Sequence, residues 1–269
     1  MRKLVFALLG WGAAAVSLVP LYIALTVSLK RTSDLSSRWL LPGYLHLEHY
    51  TKALHESGLL RAAGNSLLLT ACTAALIVIV GAMSAYPLAR VRSRASRWIT
   101  NLVLAVMMIP SLSIIVPLYS VMVGLDAINT YWGMILVLTT YNVPLAIFLY
   151  ANFIRTIPRE LDEAAMIDGY SIYSVFYRII LPQLKPVTAA VLIVKGLKVW
   201  NDYEFALYFL QRTEKHTVTL TIARFFSEFS SDINAASAAA LLAVVPVTAA
   251  FLLLQKYFVA GLSDGAVKG

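Results

Sequence analysis

The stretch NSLLLTACTAALIVIVGAMSAYPLA, Asn65–Ala89, contains no Asp, Glu, Lys, Arg or His. Wound as an α-helix at about 1.5 Å per residue it extends about 37 Å, more than the roughly 30 Å of a bilayer's hydrocarbon core. Four more uncharged runs of comparable length follow the same rule: Leu4–Leu29, Leu102–Leu125, Ala127–Ile154 and Ile233–Gln255. None alternates apolar with polar residues as a barrel strand must, and lipid offers no partner to an open backbone. Across the 269 residues 59% are hydrophobic and 13% charged, against about 25% charged in a soluble domain. The expectation is an all-α integral membrane protein.

The apolar part of the N-terminal run exceeds the roughly 7 to 15 residues of a secretion-signal core, so it counts as the first span. The single cysteine, Cys72, lies inside the second run. An intrachain disulfide and a cysteine metal cluster are excluded, and a small buried packing residue is expected there. His46, His49, His55 and His216 fall outside the runs and read as solvated loop residues.

AAVLIVKGLKVWNDYEFALYFL, Ala189–Leu210, decides between five and six spans. If the chain crosses from Pro186 to about residue 209, both termini share a side with the Arg90–Arg97 loop and the Arg155–Lys185 loop. Those segments carry more Lys and Arg over fewer residues than the opposite side, chiefly through ARVRSRASRW at Ala89–Trp98. The positive-inside rule therefore favours six spans, at about 4–29, 65–89, 102–125, 131–154, 186–209 and 233–256, in one permease domain, 1–269. Lys195 and Lys198 then fall near mid-membrane. At spacings of three and four they share a face with Asp202, which can pair with Lys198. Either this face lines a solute pathway, continued by Trp200 and Asn201 toward the outer end, or both lysines snorkel and Trp200 and Tyr203 anchor the interface. Pro110, Pro117 and Pro144 either bend their spans around a cavity or reflect ordinary packing. The loop from Lys30 to Gly64 is long enough to cap the outer mouth or to meet a partner.

IPRELDEAAMIDGYSIYSVFYRIILPQLKP, Ile157–Pro186, is too long for a simple connection. Pro158 suits a first helical turn, and Glu160, Asp162 and Glu163 complement the positive helix end. After a break at Gly169, Ile172, Val175, Phe176, Ile179 and Ile180 recur at helical spacing until Pro182. The segment reads as helix, turn, helix with one apolar side, which can press on lipid, on the chain's own spans or on a partner.

Glu163, Ala164 and Ala165, then three residues, Gly169, nine residues, Ile179, one residue, Leu181 and Pro182 resemble the EAA loop of bacterial ABC importer permeases. NSLLLT at Asn65, AYPLAR at Ala85, IPSLSIIVPLY in the third span, NTYWG before the fourth, AAMIDG, WND and the ending VAGLSDGAVKG narrow the likeness to carbohydrate-uptake permeases of the maltose-system type, over essentially the whole chain. The resemblance implies a subunit of the bacterial cytoplasmic membrane with both termini cytoplasmic. It pairs with a second homologous permease, two cytoplasmic ATPase subunits and an extracytoplasmic solute-binding protein. By that likeness Glu163 makes polar contacts to the ATPase, Ala164 and Ala165 permit close approach, Asp168 and Gly169 form the turn, and Leu181 and Pro182 close the motif. The C-terminal tail touches the ATPases in some relatives.

No GxxxxGK[ST] phosphate loop occurs, so ATP and magnesium belong to the partner ATPase, with no cofactor or catalytic residue in this chain. The implied cargo is a di- or oligosaccharide. A glycerol-phosphate or amino-sugar substrate is the alternative that two mid-membrane lysines suit. An ion-driven secondary transporter would need the inverted repeats that the sequence lacks.

Overall fold

The computed structural model describes residues 2–226 and 232–266, with side chains at 4–226 and 232–255. The expected tail contact at VAGLSDGAVKG rests on side chains outside the described residues. In chain order the helices are α1 (Arg2–Ser28), α2 (Glu48–Thr51), α3 (Leu59–Arg90), α4 (Arg94–Val106), α5 (Ser111–Gly124), α6 (Tyr131–Thr156), α7 (Glu160–Ile167), α8 (Ile172–Val175), α9 (Leu181–Gln183), α10 (Lys185–Trp200), α11 (Glu204–Phe209), α12 (Val218–Arg224) and α13 (Ile233–Ala266). No strand occurs among the described residues.

Four helices are long and apolar enough to cross a membrane: α1, α3, α6 and α13. The third and fifth spans of the sequence reading are not straight helices. Leu102–Leu125, expected as one span, is α4 and α5 bent by 102° at Met107–Pro110. Pro110 lacks the N–H that would continue the ladder, and it holds its own backbone extended (ψ 137°) immediately before α5. The segment around the fifth span bends by 71° between α9 and α10, at Leu184. It also stops at Trp200, where the sequence suggested continuity toward Leu210. The sixteen residues of α10 amount to about 24 Å, short of a full crossing.

The chain divides into two compact units. In the first, residues 1–64 with 217–246, α1 exposes almost all its apolar side chains, as a lipid-facing helix does. Val27 O at the end of α1 and Lys30 O just beyond it accept hydrogen bonds from Asn234 Nδ2, at 2.8 Å and 2.9 Å. The Lys30 side chain is 3% exposed and donates to Ser36 Oγ at 2.6 Å and Ser37 O at 2.7 Å, so the following loop is folded around it. His49, expected to be solvated, is buried with Nε2 2.9 Å from Lys30 O. Asp232 accepts from Ala235 N–H at the start of α13 and pairs with Lys52 at 2.6 Å. Burial opposes the charge on Asp232, but these partners outweigh it and hold the carboxyl below its usual range.

The second unit, 65–216 with 247–269, holds the main apolar cluster. Ile77, Ala85, Tyr150, Ile154, Val175, Ile180, Leu184 and Val191 are buried together there, drawn from α3, α6 and the α8–α10 segment. Close approach is set by small residues: a Cβ on Gly81 of α3 would stand 3.0 Å from Ala146 Cβ of α6. Cys72, expected to be buried, is only half-buried.

Two of the sequence's short motifs prove to be polar fasteners of this unit. Asn65 donates to Glu214 O and His216 O, both at 2.9 Å, while its Oδ1 accepts from Tyr131 OH at 2.7 Å. Asn129 adopts φ +59°, a conformation that asparagine tolerates better than most residues. Its N–H reaches Phe209 O at 2.8 Å and its Oδ1 accepts Arg212 N–H at 2.8 Å. Thr130 then caps α6 by accepting Gly133 N–H at 3.1 Å. Gly133 must be small, because a Cβ there would lie 2.4 Å from Ala127 O. Replacing Gly133 by alanine is therefore expected to destabilise the protein by about 1–3 kcal/mol. Gly124→Ala, in open space, serves as the control, and equal melting temperatures for the two purified variants would contradict this account.

Candidate functional site

The segment after α6 begins at Ile157, whose ψ of 128° ends the helix. In α7, Asp162 and Ala165 are buried, whereas Glu163, Ala164, Met166 and Asp168 are exposed and Ile167 is 86% exposed. The helix thus has one face against its own unit and one open face that mixes carboxylates with uncovered apolar side chains. Gly169 ends it at φ +86°. Gly169 N–H bonds to Met166 O at 3.1 Å and Tyr170 N–H to Ala165 O at 3.0 Å, the paired bonds of a Schellman cap. Ser171 caps α8 through Ser174 N–H. A wider π turn, Phe176–Ile180, leads into α9, with Leu181 half-buried and Pro182 exposed. Val175, Phe176, Ile180 and Leu184 are buried, so the apolar side of the segment rests on the chain's own core.

A buried carboxylate fixes α7. Asp162, 5% exposed, accepts from Tyr86 OH at 2.6 Å and from Arg90 Nε at 3.3 Å through Oδ1. Its Oδ2 lies 2.7 Å from Arg90 Nη2. That last contact is a charge pair whose angle falls outside hydrogen-bond geometry, so neither atom counts as hydrogen-bonded there. Arg90 Nη1 also donates to Ile157 O at 3.0 Å, at the break before α7. Tyr86 further packs against Phe176, with ring centroids 5.3 Å apart. One arginine and one tyrosine at the end of α3 therefore hold the α6–α7 joint, α7 itself and the start of the π turn. Sequence reasoning missed Tyr86 and Arg90 as site residues and read Asp162 only as a helix-dipole acid. AYPLAR was noticed as a likeness, but pairing across 72 positions leaves no local signal.

A second group of polar residues surrounds the break between α4 and α5. Asn142 of α6 is buried; its Nδ2 donates to Leu138 O at 2.8 Å, and its Oδ1 accepts from Lys195 Nζ at 3.2 Å. Lys195, Lys198, Val194, Asn142, Tyr141 and Met107 line an open cavity of about 360 Å³. Lys195 is half-buried and Lys198 exposed. Trp200 and Asp202 are both buried, and Asp202 Oδ1 accepts Ala206 N–H at 3.0 Å at the start of α11. Asn201 is exposed, with Nδ2 bonded back to Leu197 O at 3.0 Å. The structure thus gathers the two lysines with Asn142 and Tyr141, which sequence reasoning did not name, while Trp200, the buried last residue of α10, and Asp202, in the turn after it, are packed inside. Glu204 accepts from Ser111 Oγ, fastening α11 to the first residue of α5.

The sequence pattern of the family described as "Binding-protein-dependent transport system inner membrane component" matches residues 77–264. The chain is 41% identical over 266 residues to the melibiose/raffinose/stachyose import permease protein MelC of Bacillus subtilis (strain 168), covering 98% of this chain and 96% of the relative. It is 32% identical over 269 residues to the probable starch degradation products transport system permease protein AmyC of Thermoanaerobacterium thermosulfurigenes, covering 100% and 98%. Among solved structures, a bacterial ABC transporter involved in the import of the acidic polysaccharide alginate shares the fold, with a TM-score of 0.82 at 20% identity over 96% of each chain. The chain belongs to the inner-membrane components of binding-protein-dependent transport systems.

Proposed function

We propose that this chain is the permease subunit of an ATP-driven importer for a di- or oligosaccharide. In that reading it pairs with a second homologous permease, receives cargo from a solute-binding protein outside, and leaves ATP and magnesium to two ATPase subunits docked inside. Both termini lie on the ATPase side. The observation that carries the reading is the division of α7 into a clamped face and an open face. Glu163, Ala164 and Ile167 are presented to the ATPase, Ala165 and Asp162 hold the chain's own core, and Asp168 and Gly169 set the turn. Leu181 and Pro182 then pass movement through the bend at Leu184 into α10. The printed names of MelC and AmyC favour a sugar.

Transport follows as alternating access. Nucleotide must bind the inward-facing and outward-facing states with different affinity, and a rigid lever is what lets that difference reach the pathway. Lys195, Lys198, Asn142 and Tyr141 line this chain's share of the pathway. Their donors and acceptors suit hydroxyls, and the Tyr141 ring suits a sugar face. Trp200, Asn201 and Asp202 shape the outer end of α10.

Three outcomes test the proposal in the reconstituted complex. Glu163→Ala and Gly169→Pro should leave the chain in the membrane with ATP hydrolysis running but sugar uptake per ATP greatly reduced, since proline's φ of about −65° cannot replace +86°. Normal uptake by both variants would defeat the coupling assignment. Arg90→Met alone strands a buried carboxylate and should cost about 3–5 kcal/mol. Adding Asp162→Leu should recover much of the thermal stability but not the coupling ratio, and recovery of both would show the clamp to be merely structural. Lys198→Ala should raise the half-saturating sugar concentration roughly tenfold, as loss of one charge-assisted hydrogen bond implies, with hydrolysis unchanged. An unaltered uptake curve would remove Lys198 from the pathway.

A further inference from the structure

A further cavity of the second unit lies between the end of α3, the start of α4 and the end of α6. Its volume is about 560 Å³, and Arg92, Arg97, Arg155 and Arg159 line it. No carboxylate lines it among the described residues. Arg90 reaches it too, but its guanidinium is engaged by Asp162. The hydroxyls in the wall are committed to backbone: Ser93 Oγ accepts Ser96 N–H, Ser96 Oγ donates to Leu88 O, and Thr100 Oγ1 donates to Ser96 O. Four arginines thus line one concavity whose lining has no carboxylate among the described residues, and the hydrogen bonds that Arg155 and Arg159 make, to Asn152 Oδ1 and Ala89 O, leave their positive charge unpaired. Arg94 and Arg97 also occupy the first turn of α4, where the helix dipole disfavours cations. An anion in the cavity relieves both the mutual repulsion and the dipole conflict.

The surroundings name the kind of anion. Apolar side chains, among them Val103, Leu104 and Phe148, pack beside the cavity next to Leu88, Thr100 and Arg155. A shallower basin beside it is lined by Arg94, Arg97, Asn101 and Trp98. Trp98 is 77% exposed and Leu102 63% exposed, the aromatic-then-aliphatic order of a helix at a membrane interface. Guanidinium planes match phosphate oxygens in pairs, and basic pockets between spans on the cytoplasmic side suit anionic headgroups. We propose that this cavity binds the phosphate of an anionic phospholipid, its acyl chains staying in the bilayer beside the exposed Trp98 and Leu102. That the cavity opens on the inner leaflet rests on the orientation proposed above, because Arg159 immediately precedes α7.

The test uses the complete detergent-purified complex, stripped of lipid and titrated with dioleoyl phosphatidylglycerol, dioleoyl phosphatidylcholine or inorganic phosphate, with bound copies read by native mass spectrometry. Phosphatidylglycerol should be retained at least tenfold more tightly than phosphatidylcholine, and Arg97→Gln with Arg155→Gln should abolish that difference. A photoreactive phosphatidylglycerol added to the unmutated complex should label residues 88–104, which keeps the test available if the variant does not assemble. Equal retention of the two lipids, unchanged preference in the variant or labelling elsewhere would overturn the proposal. Displacement of the lipid by millimolar inorganic phosphate would assign the cavity to the free ion and overturn the lipid assignment. Binding is read by mass and not by uptake, so its failure is distinct from failure of the transport reading.

Discussion

A helix that breaks within an apolar region exposes backbone groups that lipid cannot satisfy, and four breaks among the described residues lie where the protein supplies partners itself. At Met107–Pro110 the chain turns through short-range bonds, Met108 N–H to Ala105 O and Ile109 N–H to Val106 O, and Ser111 is fastened to Glu204. At Ile157 the freed carbonyl accepts from Arg90. At Gly169 the Schellman bonds close α7, and at Leu184 the N–H finds Leu181 O. These points divide the chain into successive helices, and the candidate functional residues lie beside them.

The consequence for coupling is geometric. Asp162 makes α7 part of the rigid body formed by the ends of α3 and α6, because a buried carboxylate separated from Arg90 and Tyr86 would be left without compensation. In the coupling proposed above, a force on the open face of α7 would bypass the α6–α7 joint and reach α10, the helix that carries Lys195 and Lys198, through the segment in which Val175, Phe176, Ile180 and Leu184 are buried.

Much of this was legible in the sequence. The uncharged runs gave the all-α membrane class, and the spacing around Glu163 and Gly169 gave a short helix, a turn and a second helical segment. A bend at Pro110 was one of two readings open for that proline, whereas the bend at Leu184 was not legible, since hydropathy measures apolar length and is blind to direction. Tyr86 and Arg90 were hidden for a different reason: their partner Asp162 is distant in sequence, and its carboxylate already had an adequate local explanation at a helix N-terminus. Asn65 and Asn129 illustrate the converse. Their motifs were recognisable, yet only the structure gives their task, which is to satisfy the loop backbone between Phe209 and His216.

The same contrast separates the two lysines from the polar residues near them. Asn65, Asn129 and Asp202 each bond to backbone at helix ends and turns, and those bonds cannot be exchanged without opening the fold. Lys195 instead reaches a side-chain carbonyl on another helix, at a wall of an open cavity, and Lys198 stands exposed on the same cavity. A transported solute needs donors that can exchange partners at little cost, since binding too strong to release would stop the cycle. In the transport reading proposed above, α10 supplies such donors at the end of the lever that starts at Glu163, so the groups able to let go of a solute would be those that the lever moves.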